Sequence, residues 1–331
     1  MDKIDKSDMC KVLEKFPDQF AEGMEIAKDI NLKGSFENIV VCGMGGSGWP
    51  AEILAACTKL RVPLIVNKTY SLPKEAGRKS LVIISSFSGN TEEALSCFSQ
   101  ALERKLELLG MSHNGDVEKI CKENGIPFVK IPKPTPDFQP RFATGYVVAA
   151  MFQVLKNAGL VENKTDDILI GDKLKKLDFR DDAKKLAERL VGRIPVIYTS
   201  KRLEALGYVW KIKLNENSKI MAFSNVFPEL NHNELAGYTK SGKQGKFHLI
   251  FFKDRYDHPR EKKRMELTAK LARDYGMEVS MIDSVDADLV TRCFAFLYLG
   301  DWVSYYLALE NGVDPTPVEV QENFKKRLKE A

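Results

Sequence analysis

The stretch NIVVCGMGGSG, residues 38–48, decides the fold. Its first five residues form a short apolar run with the length of a buried strand, and the next six contain four glycines. Helical spacing follows at residues 51–60. A strand, a glycine-rich turn and a helix in this order are typical of the start of a parallel sheet that is covered by helices. The sequence therefore predicts an α/β protein.

The same alternation continues along the chain in two series. Strands are predicted at 63–66, 81–85, 127–131, 194–199, 220–223, 247–252 and 278–282, and helices at 7–30, 91–106, 146–157, 203–214, 260–275 and 289–309. Ser7 is the expected N-cap of the first helix. A polar segment at 158–181 separates the series, which predicts two doubly wound α/β domains, 1–160 and 161–331, with a closing C-terminal helix at about 318–328.

Composition excludes several classes of protein. Among 331 residues, 50 are basic and 46 acidic, and this net charge of +4 is too balanced to predict a nucleic-acid partner. No stretch reaches the length of a membrane span, so we expect a cytoplasmic protein with no membrane partner. The six cysteines include no close pair, and the four histidines lack metal-ligand spacing. We therefore expect no metal.

The glycine loop allows two ligand classes and one structural interpretation. Gly43, Gly45 and Gly48 formally match the dinucleotide pattern G-x-G-x-x-G. That pattern needs an acidic residue at the end of the second strand, where this chain has Asn67 and Lys68. Nicotinamide dinucleotide is therefore disfavoured, although Lys68 suits a 2′-phosphate. An anion held by loop amides and the Ser47 hydroxyl remains, beside the alternative of a tight packing turn.

A second loop strengthens the anion hypothesis. The strand LVIISS is followed by hydroxyl residues at the start of a helix, so that Ser86, Ser88 and Thr91 cluster there. Hydroxyl groups and a helix N-terminus together suit a phosphate monoester. The alternative is a capping box in which Ser88 or Thr91 closes the helix. Two such loops on neighbouring strands meet at the same sheet edge, which favours a phosphate site.

The second loop resembles the S-x-S-G-x-T phosphate loop of the SIS (sugar isomerase) fold, and further motifs follow in order. They are Pro140-Arg141, LNENS at 214–218, PELNHNE at 228–234, DPTPV at 314–318 and FKK at 324–326. This set resembles the bifunctional phosphoglucose/phosphomannose isomerase family over nearly the whole chain. The resemblance implies two SIS domains, no cofactor, and interconversion of fructose 6-phosphate with glucose 6-phosphate and mannose 6-phosphate through an enediol. It also implies a homodimer with a shared active site.

The resemblance further implies a role for individual residues. Glu216 is the base that moves a proton between C1 and C2, and His232, supplied to the partner subunit, transfers the ring-opening proton. Arg141 stabilises the enediolate, Lys325 assists ring opening and Thr316 accepts both C2 configurations. The phosphate-binding residues are Gly46, Ser47, Ser86, Ser88 and Thr91. Trp49 departs from the family pattern, and it either walls the sugar site or packs inward.

Two rival functions remain at this point. A non-catalytic SIS regulator that binds phosphosugars needs the hydroxyl residues of the two loops but neither Glu216 nor His232. An oxidoreductase that uses a nicotinamide nucleotide needs the acidic residue that the second strand lacks. Simple packing of Arg141 on Phe138 or Phe142, and a surface position for Glu216, are the structural alternatives to the two catalytic roles.

Overall fold

A computed structural model describes residues 3–162, 168–239 and 244–330. Its strands are β1 Asn38–Cys42, β2 Leu64–Asn67, β3 Ser80–Ser85, β4 Glu107–Ser112, β5 Phe128–Lys130, β6 Ile194–Ser200, β7 Phe223–Phe227, β8 Phe247–Lys253 and β9 Glu278–Asp283. Its α-helices are α1 Met9–Glu14, α2 Gln19–Ala27, α3 Trp49–Cys57, α4 Glu92–Glu103, α5 Asp116–Asn124, α6 Thr144–Asn157, α7 Gly171–Lys175, α8 Arg180–Leu190, α9 Glu204–Glu216, α10 Leu230–Asn233, α11 Pro259–Asp274, α12 Leu289–Glu310 and α13 Glu319–Glu330.

Two parallel sheets confirm the predicted α/β class. The first sheet has the order β2-β1-β3-β4-β5. The second has the order β7-β6-β8-β9, which is the same arrangement as the first four strands of the first sheet. Every strand pair in both sheets is parallel. In each sheet the chain changes direction beside its first strand, between β1 and β3 and between β6 and β8. Ligands of open α/β sheets bind at such points, and the two predicted phosphate loops follow β1 and β3.

Contacts divide the chain into two compact units. One comprises Glu14–Leu177 and Ala287–Cys293, and it is called the phosphate-loop unit here after the two loops predicted to bind phosphate. The other comprises Met1–Leu13, Asp178–Asp286 and Phe294–Ala331, and it is called the proton-transfer unit after the roles predicted for Glu216 and His232. The predicted domains, 1–160 and 161–331, have different edges, and the domain boundary remains a prediction. Residues 163–167 of the predicted polar separator lie outside the described residues.

The centre of each sheet is buried because its strands are apolar and helices cover its faces. All six residues of β3 are buried, as a parallel strand covered on both faces requires. Helices α4 and α5 pack Phe98, Val117 and Cys121 against the first sheet. On the second sheet, Met265 and Ala269 of α11 join an apolar cluster with strand residues. These cores fix the carboxyl ends of β1 and β3, where the two predicted phosphate loops begin.

Several elements differ from the predictions. The structure adds β4, α5, α7, α8 and α10, which the sequence patterns did not predict, and the predicted strand at 220–223 begins only at Phe223. The predicted helix at 7–30 is split into α1 and α2. The Asp5 carboxylate accepts hydrogen bonds from the amides of Met9 and Cys10, at 2.8 and 3.0 Å. Asp5 therefore satisfies the amides that Ser7 was predicted to cap.

No α-helix in the described ranges combines the length and the hydropathy that crossing a bilayer requires.

A buried histidine on β8 makes stability depend on pH. The His248 side chain is fully buried, and its Nε2 lies 2.8 Å from the Ser280 hydroxyl. Burial is the main cause that lowers the pKa of His248 to about 4 from the ordinary value of 6.5. Below pH 6.5 the unfolded chain binds a proton that the native chain excludes, so this part of the stability is complete above pH 6.5 and is lost as the pH falls toward 4.

We expect the free energy of unfolding to fall by about 2 kcal/mol between pH 7.5 and pH 5 because of His248. Denaturant unfolding of the wild type and of His248→Gln at both values of pH measures this difference, which the variant should lack. His232→Gln is the matched control, because His232 is exposed. An equal dependence on pH in His248→Gln and the wild type would contradict the assignment.

Candidate active site

The glycine loop after β1 lies directly against the segment that carries Arg141. A Cβ on Gly46 would stand 2.8 Å from the carbonyl oxygen of Pro140 and 3.0 Å from the amide nitrogen of Arg141. Gly45 has a φ of 48°, which favours glycine. The structure therefore brings together Gly46 and Arg141, which lie far apart in the sequence.

The two predicted phosphate loops are joined by one hydrogen bond. The backbone amide of Phe87 donates to the Ser47 hydroxyl oxygen at 2.9 Å, and the Ser47 side chain is almost fully buried. Ser86 is also fully buried, and its Oγ lies 2.8 Å from Oγ1 of Thr91. Ser88 is exposed, and its Oγ accepts from the amide of Asn90 at 3.3 Å. All four predicted hydroxyl residues thus belong to two connected loops.

The capping box that the sequence left open does not form. Thr91 is the N-cap residue of α4, but its side chain makes no capping hydrogen bond. Its hydroxyl pairs instead with Ser86, in the same loop. The positive end of the α4 dipole therefore faces a loop of hydroxyl groups, and such an arrangement binds anions.

Arg141 is a buried cation in a 3₁₀ turn at Pro140–Phe142. Only 2% of the residue is exposed, and its guanidinium carbon lies 4.7 Å from the centre of the Phe142 ring. The packing alternative raised by the sequence is therefore present, because Arg141 does stack on Phe142. A cation held over an aromatic face keeps its charge while its orientation is restricted.

Trp49 packs inward, which decides between the two positions that the sequence left open. It begins α3 directly after the glycine loop and is fully buried. Its indole Nε1 donates to the Thr144 hydroxyl at 3.2 Å, and that hydroxyl donates to the carbonyl oxygen of Arg141 at 3.3 Å. Trp49 therefore ties the start of α3 to the turn that carries Arg141.

In the proton-transfer unit, Glu216 is the last residue of α9 and is half-buried. A carboxylate at the C-terminal end of a helix interacts unfavourably with the negative end of the helix dipole. Lys219 lies three residues further on, with a φ of 58°, and its ammonium donates to the Glu216 carbonyl oxygen at 2.6 Å. The same ammonium donates to the carbonyl oxygen of Pro315 at 3.3 Å. Lys219 thus joins the end of α9 to the DPTPV segment.

Thr316 and the C-terminal helix α13 adjoin the same end of α9. Thr316 follows Pro315, is buried, and donates from its amide to Asp314 Oδ1 at 3.0 Å. Gln321 of α13 places its Nε2 3.5 Å from Glu216 Oε1, at the outer limit of a hydrogen bond. Lys325 is exposed and stands four residues after Gln321, so the two share one face of the helix.

His232 is exposed on the short helix α10, between two residues that are anchored. Asn231 donates from Nδ2 to the Thr268 hydroxyl of α11 at 2.8 Å. The Glu234 carboxylate accepts hydrogen bonds from the Tyr198 hydroxyl and from Asn225 Nδ2. Burial is the main cause that raises the pKa of Tyr198, and the hydrogen bond to Glu234 raises it further. The anchors hold the backbone on both sides of the exposed imidazole.

Sequence reasoning missed the residues that support these positions. They are Lys219, Gln321, and the buried ion pair between Lys213 and Asp301. One partner had a readable signal, because Asp301 interrupts an otherwise apolar helical stretch. Among the residues that the structure describes, no group of three or more His, Cys, Asp and Glu could hold a metal ion. Metal-free chemistry remains a prediction.

Comparison with known proteins shows which sequences this chain resembles. The model of the bacterial phospho-glucose isomerase C-terminal SIS domain matches residues 179–328. A bifunctional phosphoglucose/phosphomannose isomerase from Aquifex aeolicus is 34% identical over 97% of this chain and 98% of its own length. One from Thermoplasma acidophilum is 33% identical over 94% and 97%.

Solved structures show the same fold. A hypothetical protein from Thermus thermophilus superposes with a TM-score of 0.74 at 18% identity, over 96% of this chain and 89% of that one. At this identity the likeness concerns the fold alone, whereas the sequence matches to the curated relatives extend over nearly the full length of both chains. This chain belongs to the bifunctional phosphoglucose/phosphomannose isomerase family.

Proposed function

We propose that this enzyme interconverts fructose 6-phosphate with glucose 6-phosphate and mannose 6-phosphate through an enediol, without a metal or a cofactor. The observation that carries the proposal is the hydrogen bond from the Phe87 amide to Ser47, which joins the two loops that contain the hydroxyl residues. The second loop leads into α4, whose N-cap residue Thr91 makes no side-chain capping hydrogen bond. Such a cluster suits the phosphate of a sugar monoester. Gly46, Ser47, Ser86, Ser88 and Thr91 are its proposed ligands.

Glu216 is the proposed base of the reaction. Its carboxylate takes a proton from C1 of the open ketose, the C2 carbonyl oxygen gains a proton, and a cis-enediol results. Return of a proton to C2, with loss of the O1 proton, gives the aldose, so the step is balanced without an external oxidant or reductant. The half-buried position of Glu216 supports this role, because partial shielding from water favours a carboxylate as a base.

The other polar residues have supporting roles in the same proposal. Arg141 stabilises negative charge on the enediolate oxygens, which its buried and stacked guanidinium favours. Lys325 assists ring opening, and the shared face with Gln321 supports its approach to Glu216. Thr316 lets the site accept both configurations at C2 of the sugar, that of glucose and that of mannose. A small hydroxyl residue beside the end of α9 is compatible with that task.

The proposed assembly is a homodimer in which His232 acts in the active site of the partner subunit. Its exposed imidazole on an anchored helix supports this proposal. A near-neutral pKa is the property that proton transfer between the ring oxygen and O1 requires, and histidine is the side chain that ordinarily has it. The cytoplasmic location expected from the sequence remains part of the proposal.

A coupled assay tests the function directly. Purified enzyme treated with EDTA should form glucose 6-phosphate from fructose 6-phosphate and from mannose 6-phosphate, at rates equal to those without the chelator. Binding of fructose 6-phosphate without turnover would instead support the non-catalytic regulator. Loss of activity in EDTA that added metal restores would contradict the metal-free mechanism.

A further inference from the structure

We propose that the buried ion pair of Lys213 and Asp301, together with Asn217 and Ser304, positions the base Glu216. This inference rests on the proposed function, because it assigns these four residues to the geometry of that proton transfer. None of them needs to touch substrate. They are positioning residues, and they act through the end of α9.

The ion pair lies one helical turn before Glu216. Lys213 Nζ is 2.5 Å from Asp301 Oδ1, and each side chain is only 4% exposed. Lys213 belongs to α9 and Asp301 to α12, and both lie within the proton-transfer unit. The pair therefore fixes the distance and register between the two helices at the turn that ends in Glu216.

A second set of hydrogen bonds fixes the residues directly after Glu216. Asn217 is fully buried, and its Nδ2 donates to the Ser304 hydroxyl at 2.9 Å. That hydroxyl donates in turn to the carbonyl oxygen of Asp301 at 2.9 Å. The Ser218 hydroxyl donates to the carbonyl oxygen of Ser304 at 2.7 Å. Glu216 is thus held between two buried polar contacts to one turn of α12.

Stability alone is a poor explanation for the pair. Taking two charges out of water costs more than their attraction commonly returns, and apolar residues of similar volume often stabilise such a site equally well. In some proteins a buried polar or charged group sets the register between two helices, and we infer that role for this pair. A proton transfer needs that register, since a base displaced by about 1 Å can lose about 100-fold in rate.

The test replaces both charges together. Lys213→Met with Asp301→Leu substitutes apolar residues of similar size for both partners, so we expect a folded protein with a melting temperature near that of the wild type. Its kcat for fructose 6-phosphate should fall by about 10- to 100-fold while KM changes less than about threefold. Ser304→Ala, a smaller change, should lower kcat by about threefold to tenfold with KM unchanged.

Trp210→Phe is the matched control. Trp210 also lies on α9 and donates from Nε1 to the carbonyl oxygen of Phe296 on α12, at 2.7 Å, but one turn further from Glu216. The substitution should lower the melting temperature and keep kcat within about twofold. A folded double variant with the kcat of the wild type, or an equal loss of kcat in Trp210→Phe, would overturn the positioning role. An inactive wild type would refute the proposed function itself, so the two failures are distinguishable.

Discussion

Glu216→Gln should lower kcat for isomerisation of fructose 6-phosphate by about 1,000-fold. The amide keeps the size of the side chain but cannot accept the proton, and a positioned general base contributes about 100- to 10,000-fold to a rate. Steady-state kinetics measure kcat, and calorimetry measures binding of fructose 6-phosphate. The dissociation constant should stay within about threefold of that of the wild type, because the phosphate ligands are unchanged.

Glu204→Gln controls for the loss of a carboxylate from α9. Glu204 is the first residue of that helix and pairs with Lys201 on its exposed side. Its replacement should leave kcat within about twofold of the wild type, since exposed ion pairs contribute little. A kcat near that of the wild type in Glu216→Gln would mean that another group moves the proton.

The second large effect is expected at Gly89, between Ser88 and Thr91. Its φ is 71°, and an added Cβ would overlap the carbonyl oxygen of Asn114. Because that atom belongs to the backbone, the loop itself must move. Gly89→Ala should lower the free energy of unfolding by more than about 3 kcal/mol. It should also raise KM for fructose 6-phosphate at least about tenfold, because Ser88 and Thr91 move with the loop.

Gly125→Ala separates backbone strain from steric overlap. Gly125 has a similar φ of 64°, but a Cβ there meets no atom within 4 Å. It should cost about 1 kcal/mol of stability and leave KM unchanged. Denaturant unfolding and substrate titration of both variants make the comparison. If the two variants had equal KM values, the phosphate-loop geometry would not depend on Gly89.

The sequence predicted the parts of the fold that local pattern encodes. Buried runs such as residues 38–42 and 81–85 predicted strands because a parallel strand covered on both faces is apolar throughout. The strand β4 was missed because Gly110 weakens its pattern and it follows closely after α4. β7 was misplaced because this edge strand, FSNVF, is largely half-exposed and has no continuous apolar run.

For the candidate site, the sequence predicted residues but not their partners. Hydroxyls after β3 and a glycine loop after β1 are local patterns, and both led to the phosphate hypothesis. The hydrogen bond from Phe87 to Ser47 joins positions 40 residues apart, and the Lys213–Asp301 pair joins positions 88 apart. Pairings at such separations depend on how the helices and strands pack, which periodicity does not determine.

Isotope exchange tests the central claim most directly. Wild-type enzyme incubated with fructose 6-phosphate in D₂O, and followed by nuclear magnetic resonance, should produce glucose 6-phosphate and mannose 6-phosphate with deuterium at C2. That label follows from an enediol whose proton is carried by a carboxylate in contact with solvent protons. Fructose 6-phosphate that stays unconverted and unlabelled in the presence of folded enzyme would contradict the account.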